Sequence, residues 1–281
     1  MSSPPPSDSA PALADFPGTL VLVGAGKMGG ALLEGWLRLG LSPDRIAVIE
    51  PQPAAAIAAL AQRGLKLNLP LEGVPKPAAV VIAVKPQNAP EIMPLLAGTG
   101  ATLVVSIMAG RRLDFLARAL PPATAIVRSM PNTPAAIGRG ITVAVANPHV
   151  TSAQRDLAHK LLAATGAVEW VGDESLLDAV TAVSGSGPAY VFLFAESLAK
   201  AGAAAGLPAD LAARLARATV AGSGELLHVT PTDAAVLRQN VTSPGGTTAA
   251  ALDVLMSAQG LDPLLREAVA AATQRSRELA G

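Results

Sequence analysis

Between residues 19 and 171 the chain alternates two kinds of segment, and this constrains its fold more than any other feature. Short β-rich runs at 19–23, 45–49, 79–84, 102–107, 124–127, 141–146 and 167–171 are separated by helix-length segments at 28–39, 54–63, 90–96, 113–120 and 152–165. Several of the runs carry continuous apolar stretches rather than alternating ones, as in strands covered on both faces. That order predicts a doubly wound α/β sheet. The alternation stops at Gly172-Asp173. Beyond it, 174–183, 188–205, 208–228, 244–258 and 262–279 read as helices, with Pro188, Pro208, Pro244 and Pro263 near their starts. A proline there removes an N–H that has no intrahelical partner anyway.

The first turn after a strand carries Val23-Gly24-Ala25-Gly26-Lys27-Met28-Gly29. This is G-x-G-x-x-G at a strand-to-helix junction. The first glycine permits the tight turn, the second lets backbone approach a pyrophosphate, and the third lets the helix pack on the sheet. An acidic residue, Glu50, closes the second β run 21 positions after Gly29. It can accept hydrogen bonds from ribose hydroxyls and repel a 2′-phosphate, which favours NADH. No Arg or Lys occurs over 51–62, while Arg63 and Lys66 lie just beyond. The expected organisation is a disordered tail over 1–17, a Rossmann-type dinucleotide-binding domain over 18–173, and an all-α domain over 174–281. The tail expectation rests on five prolines, four serines and no basic residue.

Composition removes several alternatives. Lys plus Arg and Asp plus Glu are each 21, and aromatics make up 2%, so neither phosphate backbones nor stacked bases are expected partners. There is no cysteine, which excludes disulfides, thiolate metal sites and a cysteine nucleophile. His149, His159 and His228 lie outside every glycine-rich motif, so no metal site is expected. Hydrophobic residues reach 51%, but Pro94, Gly98 and Gly100 cut the uncharged stretch 92–110. Ser184-Gly185-Ser186-Gly187-Pro188 is expected to interrupt 179–195 in the same way. The expectation is a cytoplasmic protein without a membrane partner.

Three further segments carry chemistry. Ala83-Val84-Lys85-Pro86-Gln87 closes a strand at the sheet edge where ligands bind in open α/β folds, and Lys85 reads equally as a ligand cation or a strand-end residue. Ser184 to Tyr190 and Asn240 to Thr248 each set hydroxyls and glycines before a helix. In the second, Ser243 and the amides near Gly246, Thr247 and Thr248 suit a small carboxylate. Ordinary helix capping would explain one hydroxyl but not all three beside paired glycines.

Taken together, these segments resemble the Δ1-pyrroline-5-carboxylate reductases of proline biosynthesis. The likeness rests on Val23 to Gly29, Ala83 to Gln87, Arg128-Ser129-Met130-Pro131-Asn132-Thr133-Pro134, Val183 to Val191 and Val241 to Thr248, with Arg275 to Leu279 resembling the family's last helix. The resemblance implies hydride transfer from NADPH or NADH to the C=N carbon of 1-pyrroline-5-carboxylate. It implies Thr248 at the imine nitrogen, and Ser243 with the amides of Gly246, Thr247 and Thr248 on the carboxylate. It places the cofactor on Gly24, Ala25, Gly26, Lys27, Met28, Gly29, Glu50, Ala83, Val84, Lys85 and Pro86. Lys27 and Glu50 depart from the usual family residues, and Glu50 runs against the usual NADPH preference.

The segment 190–195 is apolar on every side and 249–255 nearly so, which calls for a second copy in a two-fold dimer. The resemblance implies a C-terminal dimerisation domain and homo-oligomers extending to rings such as a decamer. Two rivals remain at this stage. A β-hydroxyacid dehydrogenase would need a catalytic lysine such as Lys200, and a redox sensor would bind dinucleotide without turnover.

Overall fold

The computed structural model describes residues 13–70 and 76–280. The described strands are β1 (Leu20–Val23), β2 (Ile46–Ile49), β3 (Lys66–Leu67), β4 (Ala79–Ile82), β5 (Val104–Ser106), β6 (Ile126–Met130), β7 (Gly140–Ala146) and β8 (Gly166–Trp170). They form one sheet in the order β3-β2-β1-β4-β5-β6-β7-β8. The helices of this part are α1 (Lys27–Arg38), α2 (Ala55–Ala59), α3 (Ala89–Ala97), α4 (Leu113–Ala119) and α5 (Ser152–Leu162). β1 lies between β2 and β4, with Leu20 opposite both Ile46 and Ala79. The chain order therefore reverses beside β1, which opens a crevice at its carboxyl end.

The first six strands are parallel, but β7 pairs antiparallel with β6 and β8 runs parallel to β7. The reason is connection length. Only 131–139 join β6 to β7, too few for a crossover, whereas α5 supplies one between β7 and β8. The two-residue β3 is too short to carry a periodic signal. On one face of the sheet Leu32, Leu33 and Trp36 of α1 pack with Ala158 and Leu161 of α5. Trp36 Nε1 satisfies its polar edge by donating to Leu161 O at 2.8 Å. On the other face Ala89, Met93 and Leu96 of α3 pack with Leu116 of α4.

The expected tail needs correction. Residues 1–12 lie outside the described residues, but Leu13 and Phe16 are buried in the first core. Leu13 N–H bonds to Leu39 O at 2.8 Å, and Arg45 donates to Phe16 O, so apolar contact holds this proline-flanked stretch in place.

The remaining helices are α6 (Leu176–Val180), α7 (Gly187–Ala204), α8 (Ala209–Val229), α9 (Ala234–Asn240), α10 (Thr247–Leu255) and α11 (Leu261–Ala280). The expected interruption at Ser184 to Pro188 takes the form of a π turn and a bend rather than a loop. The π turn Thr181–Gly185 and a bend at Ser186 lie between α6 and α7, and the 29-residue span Leu176–Ala204 is long and apolar enough by composition to cross a membrane. Pro188 stands in the first turn of α7, where its missing N–H costs no intrahelical bond.

By contacts, the chain divides after Gly185 into two compact units, and the first takes back the chain from Thr273 onward. Within the second unit, Ser186–Ala272, α7 ends at a left-handed Gly206 (φ 100°) and turns through Leu207-Pro208 into α8. Gly202 allows the close approach, since a Cβ there would lie 3.2 Å from Ala212 Cβ. Among the described residues of this unit only Ala212 and Ala216 are buried apolar side chains.

Candidate active site

The three glycines of the first turn serve different masters. Gly24 is buried with φ 89°, and a Cβ on it would sit 2.8 Å from the Ala83 carbonyl carbon and oxygen. A Cβ on Gly29 would sit 2.0 Å from Gly24 O. The chain's own packing demands both. Gly26 is exposed, and a Cβ there would meet nothing within 4 Å. Its bareness serves something outside the chain. Gly26 is also the cap of α1, with no side-chain capping bond and no acidic residue in the first turn. The amides that open α1 are thus left for an anion, and the residues present fit a dinucleotide pyrophosphate. Ala25 is buried, Lys27 is exposed, and the partly buried Met28 packs against the core.

Glu50 joins this turn. Its Oε2 accepts from Ala25 N at 2.9 Å and its Oε1 from Gln52 N at 3.1 Å. Ala83 and Val84 lie against Gly24, with Ala83 N bonded to Val23 O at 2.7 Å. Lys85 is exposed and Pro86 half-buried at the following turn. Sequence reasoning missed the group that holds that turn. Arg111, after β5, donates Nε and Nη2 to Pro86 O at 3.2 and 3.0 Å, and its guanidinium lies 4.7 Å over the Phe115 ring. The Arg111-Arg112 doublet was its only signal.

The Arg128 to Pro134 segment is more than an ordered loop. Arg128, 4% exposed, pairs with Glu174 at 2.8 Å, and that same Oε1 accepts from Leu113 N. Asn132 Nδ2 donates to Ser184 Oγ at 3.2 Å, and Asn132 Oδ1 accepts from Ile141 N at 3.0 Å. Met130 Cε occupies the space a Cβ on Gly185 would need. The turn after β6 is therefore tied to the π turn. Asp178, also nearly buried, accepts from Ser276 Oγ at 2.7 Å and pairs with Arg112 at 3.5 Å.

In the second unit, Gly245 is left-handed (φ 68°) and Gly246 N bonds back to Ser243 O at 3.0 Å. Gly246 caps α10 without any side-chain bond, so hydroxyl capping does not explain this segment. Among the described residues, no protein group bonds the hydroxyls of Ser243, Thr247 or Thr248. Three hydroxyls and the opening amides of α10 gather on one short loop without a structural task.

The other candidates fall to ordinary roles. Lys200 pairs with Glu196 at 2.6 Å on an exposed turn of α7, and that bond holds the Glu196 carboxyl below its usual range. His159 Nδ1 accepts from Trp170 Nε1 at 3.3 Å. Among the described residues no group of His, Cys, Asp or Glu could hold a metal ion.

Comparison with known proteins joins the two halves. Residues 174–279 match the family model "Pyrroline-5-carboxylate reductase dimerisation", and 19–110 match "NADP oxidoreductase coenzyme F420-dependent". The chain is 38% identical over 266 residues to a pyrroline-5-carboxylate reductase of Pseudomonas aeruginosa, covering 93% of this chain and 96% of that protein. It belongs to the pyrroline-5-carboxylate reductase family. A family member from Coxiella burnetii superposes with a TM-score of 0.84 at 34% identity, over 94% of this chain and 99% of that one. The Plasmodium falciparum enzyme, solved with NADP bound, gives 0.78 at 28% identity over 94% and 99%. Family membership explains why a nucleotide-binding sheet precedes a helical segment of so few buried side chains. That segment is the family's dimerisation region, and the chain forms homo-oligomers.

Proposed function

We propose that this protein reduces 1-pyrroline-5-carboxylate to L-proline with NAD(P)H, and that the loop from Ser243 to Thr248 holds the substrate. The observation that carries this reading is the unemployed loop itself, with its uncapped helix amides and three hydroxyls bonded to no protein group. The amides of Gly246, Thr247 and Thr248, with Ser243 Oγ, bind the substrate carboxylate, where the helix terminus favours negative charge. Thr248 Oγ1 donates to the imine nitrogen and draws electron density from the adjacent carbon. A nicotinamide bound beside them would supply a hydride to that carbon, and the nitrogen would hold a proton drawn from solvent, so that C=N becomes CH–NH. No strong base is needed, in keeping with the absence of a histidine from these motifs.

On the cofactor side, Gly24, Ala25, Gly26, Lys27, Met28 and Gly29 cradle the pyrophosphate, with Ala83, Val84, Lys85 and Pro86 beside them. Glu50 makes NADH at least as good a donor as NADPH. A second copy of this chain covers the apolar faces of α7, α8 and α10, and such homodimers assemble further, up to a decamer. The protein works in the cytoplasm without a nucleic-acid or membrane partner.

The deciding experiment is Thr248→Ala. Its kcat is expected to fall about 100-fold, the cost of losing one polarising hydrogen bond, while the cofactor dissociation constant holds. Thr248→Ser should recover most of the loss. A folded Thr248→Ala enzyme with near-normal kcat would remove Thr248 from the mechanism. A wild-type protein that binds NADH yet never oxidises it on adding the imine would be a sensor.

A further inference from the structure

Glu50 is held from two sides, and only one belongs to the glycine turn. Its carboxylate receives the amides of Ala25 and Gln52. Its main chain is bracketed by Asn68, whose Oδ1 accepts from Glu50 N at 2.8 Å while its Nδ2 donates to Glu50 O at 2.9 Å. Asn68 follows the two-residue β3, and its own N–H bonds to Val48 O at 2.8 Å. There the chain turns away with φ 53°, a left-handed conformation that asparagine tolerates better than most residues. The side-chain amide thus replaces one rung of the ladder after the backbone has left it. Asparagine suits the place because its short side chain offers one acceptor and two donors, whereas aspartate offers only acceptors.

We propose that Asn68 is a positioning residue for cofactor choice, fixing Glu50 so that its carboxylate stays against Ala25 and selects a ribose 2′-hydroxyl over a 2′-phosphate. This rests on the reading of Glu50 given above. In a sheet of this kind the acidic residue at the end of the second strand meets the adenosine ribose. Each Glu50 oxygen takes one amide in the protein and keeps a lone pair for the ribose. A carboxylate anchored in this way also cannot swing aside to admit a phosphate. Without Asn68, the main chain of residue 50 loses both bonds, and the carboxylate loses its fixed origin.

The test measures dissociation constants for NADH and NADPH by calorimetry without substrate, together with kcat at saturation. Asn68→Gly keeps the left-handed conformation and deletes only the amide. It should shift the ratio of the two constants about tenfold towards NADPH, the loss expected when the displaced Glu50 carboxylate no longer makes its hydrogen bond to the ribose. Its kcat should not change. Glu50→Ser should shift the ratio the same way, and the double variant should shift it no further, because Asn68 acts through Glu50. If Glu50→Ser moves the ratio and Asn68→Gly does not, the inference about Asn68 fails and the reading of Glu50 stands. It fails equally if Asn68→Gly keeps its effect in the Glu50→Ser background. A wild-type preference for NADPH of about 100-fold or more overturns both. Should the glycine variant not fold, Asn68→Asp, which keeps the acceptor and loses the donor, is judged by the same ratio.

Discussion

In the nucleotide-binding unit Trp36, Leu32 and Leu33 of α1 are at most 1% exposed, whereas Phe192 and Leu193 of the more apolar α7 are 67% and 60% exposed. The difference follows from pattern. α1 places its large apolar residues on the face it lays against a sheet, while the first turns of α7 are apolar all round over 190–195 and one neighbouring helix cannot cover them. The first unit fills its own core. The second is an interface laid out along helices, with Val254 of α10 71% exposed, Met256 just after it 59% exposed, and the same deficit at Leu226 of α8. Stability therefore resides within one chain in the first unit and between chains in the second.

The sharpest way to break this contrast is a charge on the uncovered face. Phe192→Asp should convert the oligomer to monomers in light scattering and lower activity by about 100-fold or more, since an unpaired buried charge defeats an apolar interface. An assembly that survives it would mean α7 faces something other than a second copy. Next in size is Trp36→Ala, which leaves a cavity and an unpaired Leu161 carbonyl. Urea unfolding should show a loss of about 3–5 kcal/mol, with oligomer size unchanged. Smaller again is Gly26→Ala. It should leave the melting temperature where it is and raise the cofactor KM about tenfold, because the added methyl enters space that only a ligand would use. A melting temperature that drops with it would put Gly26 in the same class as Gly29.

The smallest effect is electrostatic. Hydrogen bonds from the Ser175 side chain, then its backbone, hold the exposed Asp173 carboxyl below its usual range. Bonding to Lys200 and its charge do the same for Glu196 in the second unit. A carboxyl with a lowered folded pKa stabilises above its unfolded pKa and loses that contribution as pH falls through the folded one. Melting followed from about pH 6 down to about pH 3 should show a shallow decline that flattens in Asp173→Asn. High salt should blunt the part due to Glu196 and spare the part due to Asp173, whose partner is neutral. Equal salt sensitivity of both would count against that division.

Much of this architecture is legible in the sequence where a period or a local motif carries it. The sheet strands, the glycine turn at Gly24 to Gly29 and the hydroxyl loop at Ser243 to Thr248 are each written within a few neighbouring residues. What escapes is written across distance. The bonds of Asn68 to Glu50, Arg111 to Pro86 and Asn132 to Ser184 join residues that no period relates. Leu13 and Phe16 are apolar residues scattered among prolines, and only the finished core shows they are needed. The reversed direction of β7 was latent in the short connection over 131–139, a length more telling than its composition. The π turn was hidden because glycine, serine and proline together read only as a break, which says nothing of the wide turn that leads into it.

The buried bond between Ser276 and Asp178 spans 98 residues and returns the end of α11 to the first unit. Considered as an event in time, this means that the nucleotide-binding unit is begun before the helical unit and closed only after it. At about 5–20 residues per second, a ribosome takes roughly 5–20 s to supply Ser276 after Asp178. During that interval Asp178 waits with Arg112 as its nearby cation, and the helical segment that needs a second copy emerges before its own unit is closed. A premature stop in the last helix would therefore be felt in the half of the protein that was made first.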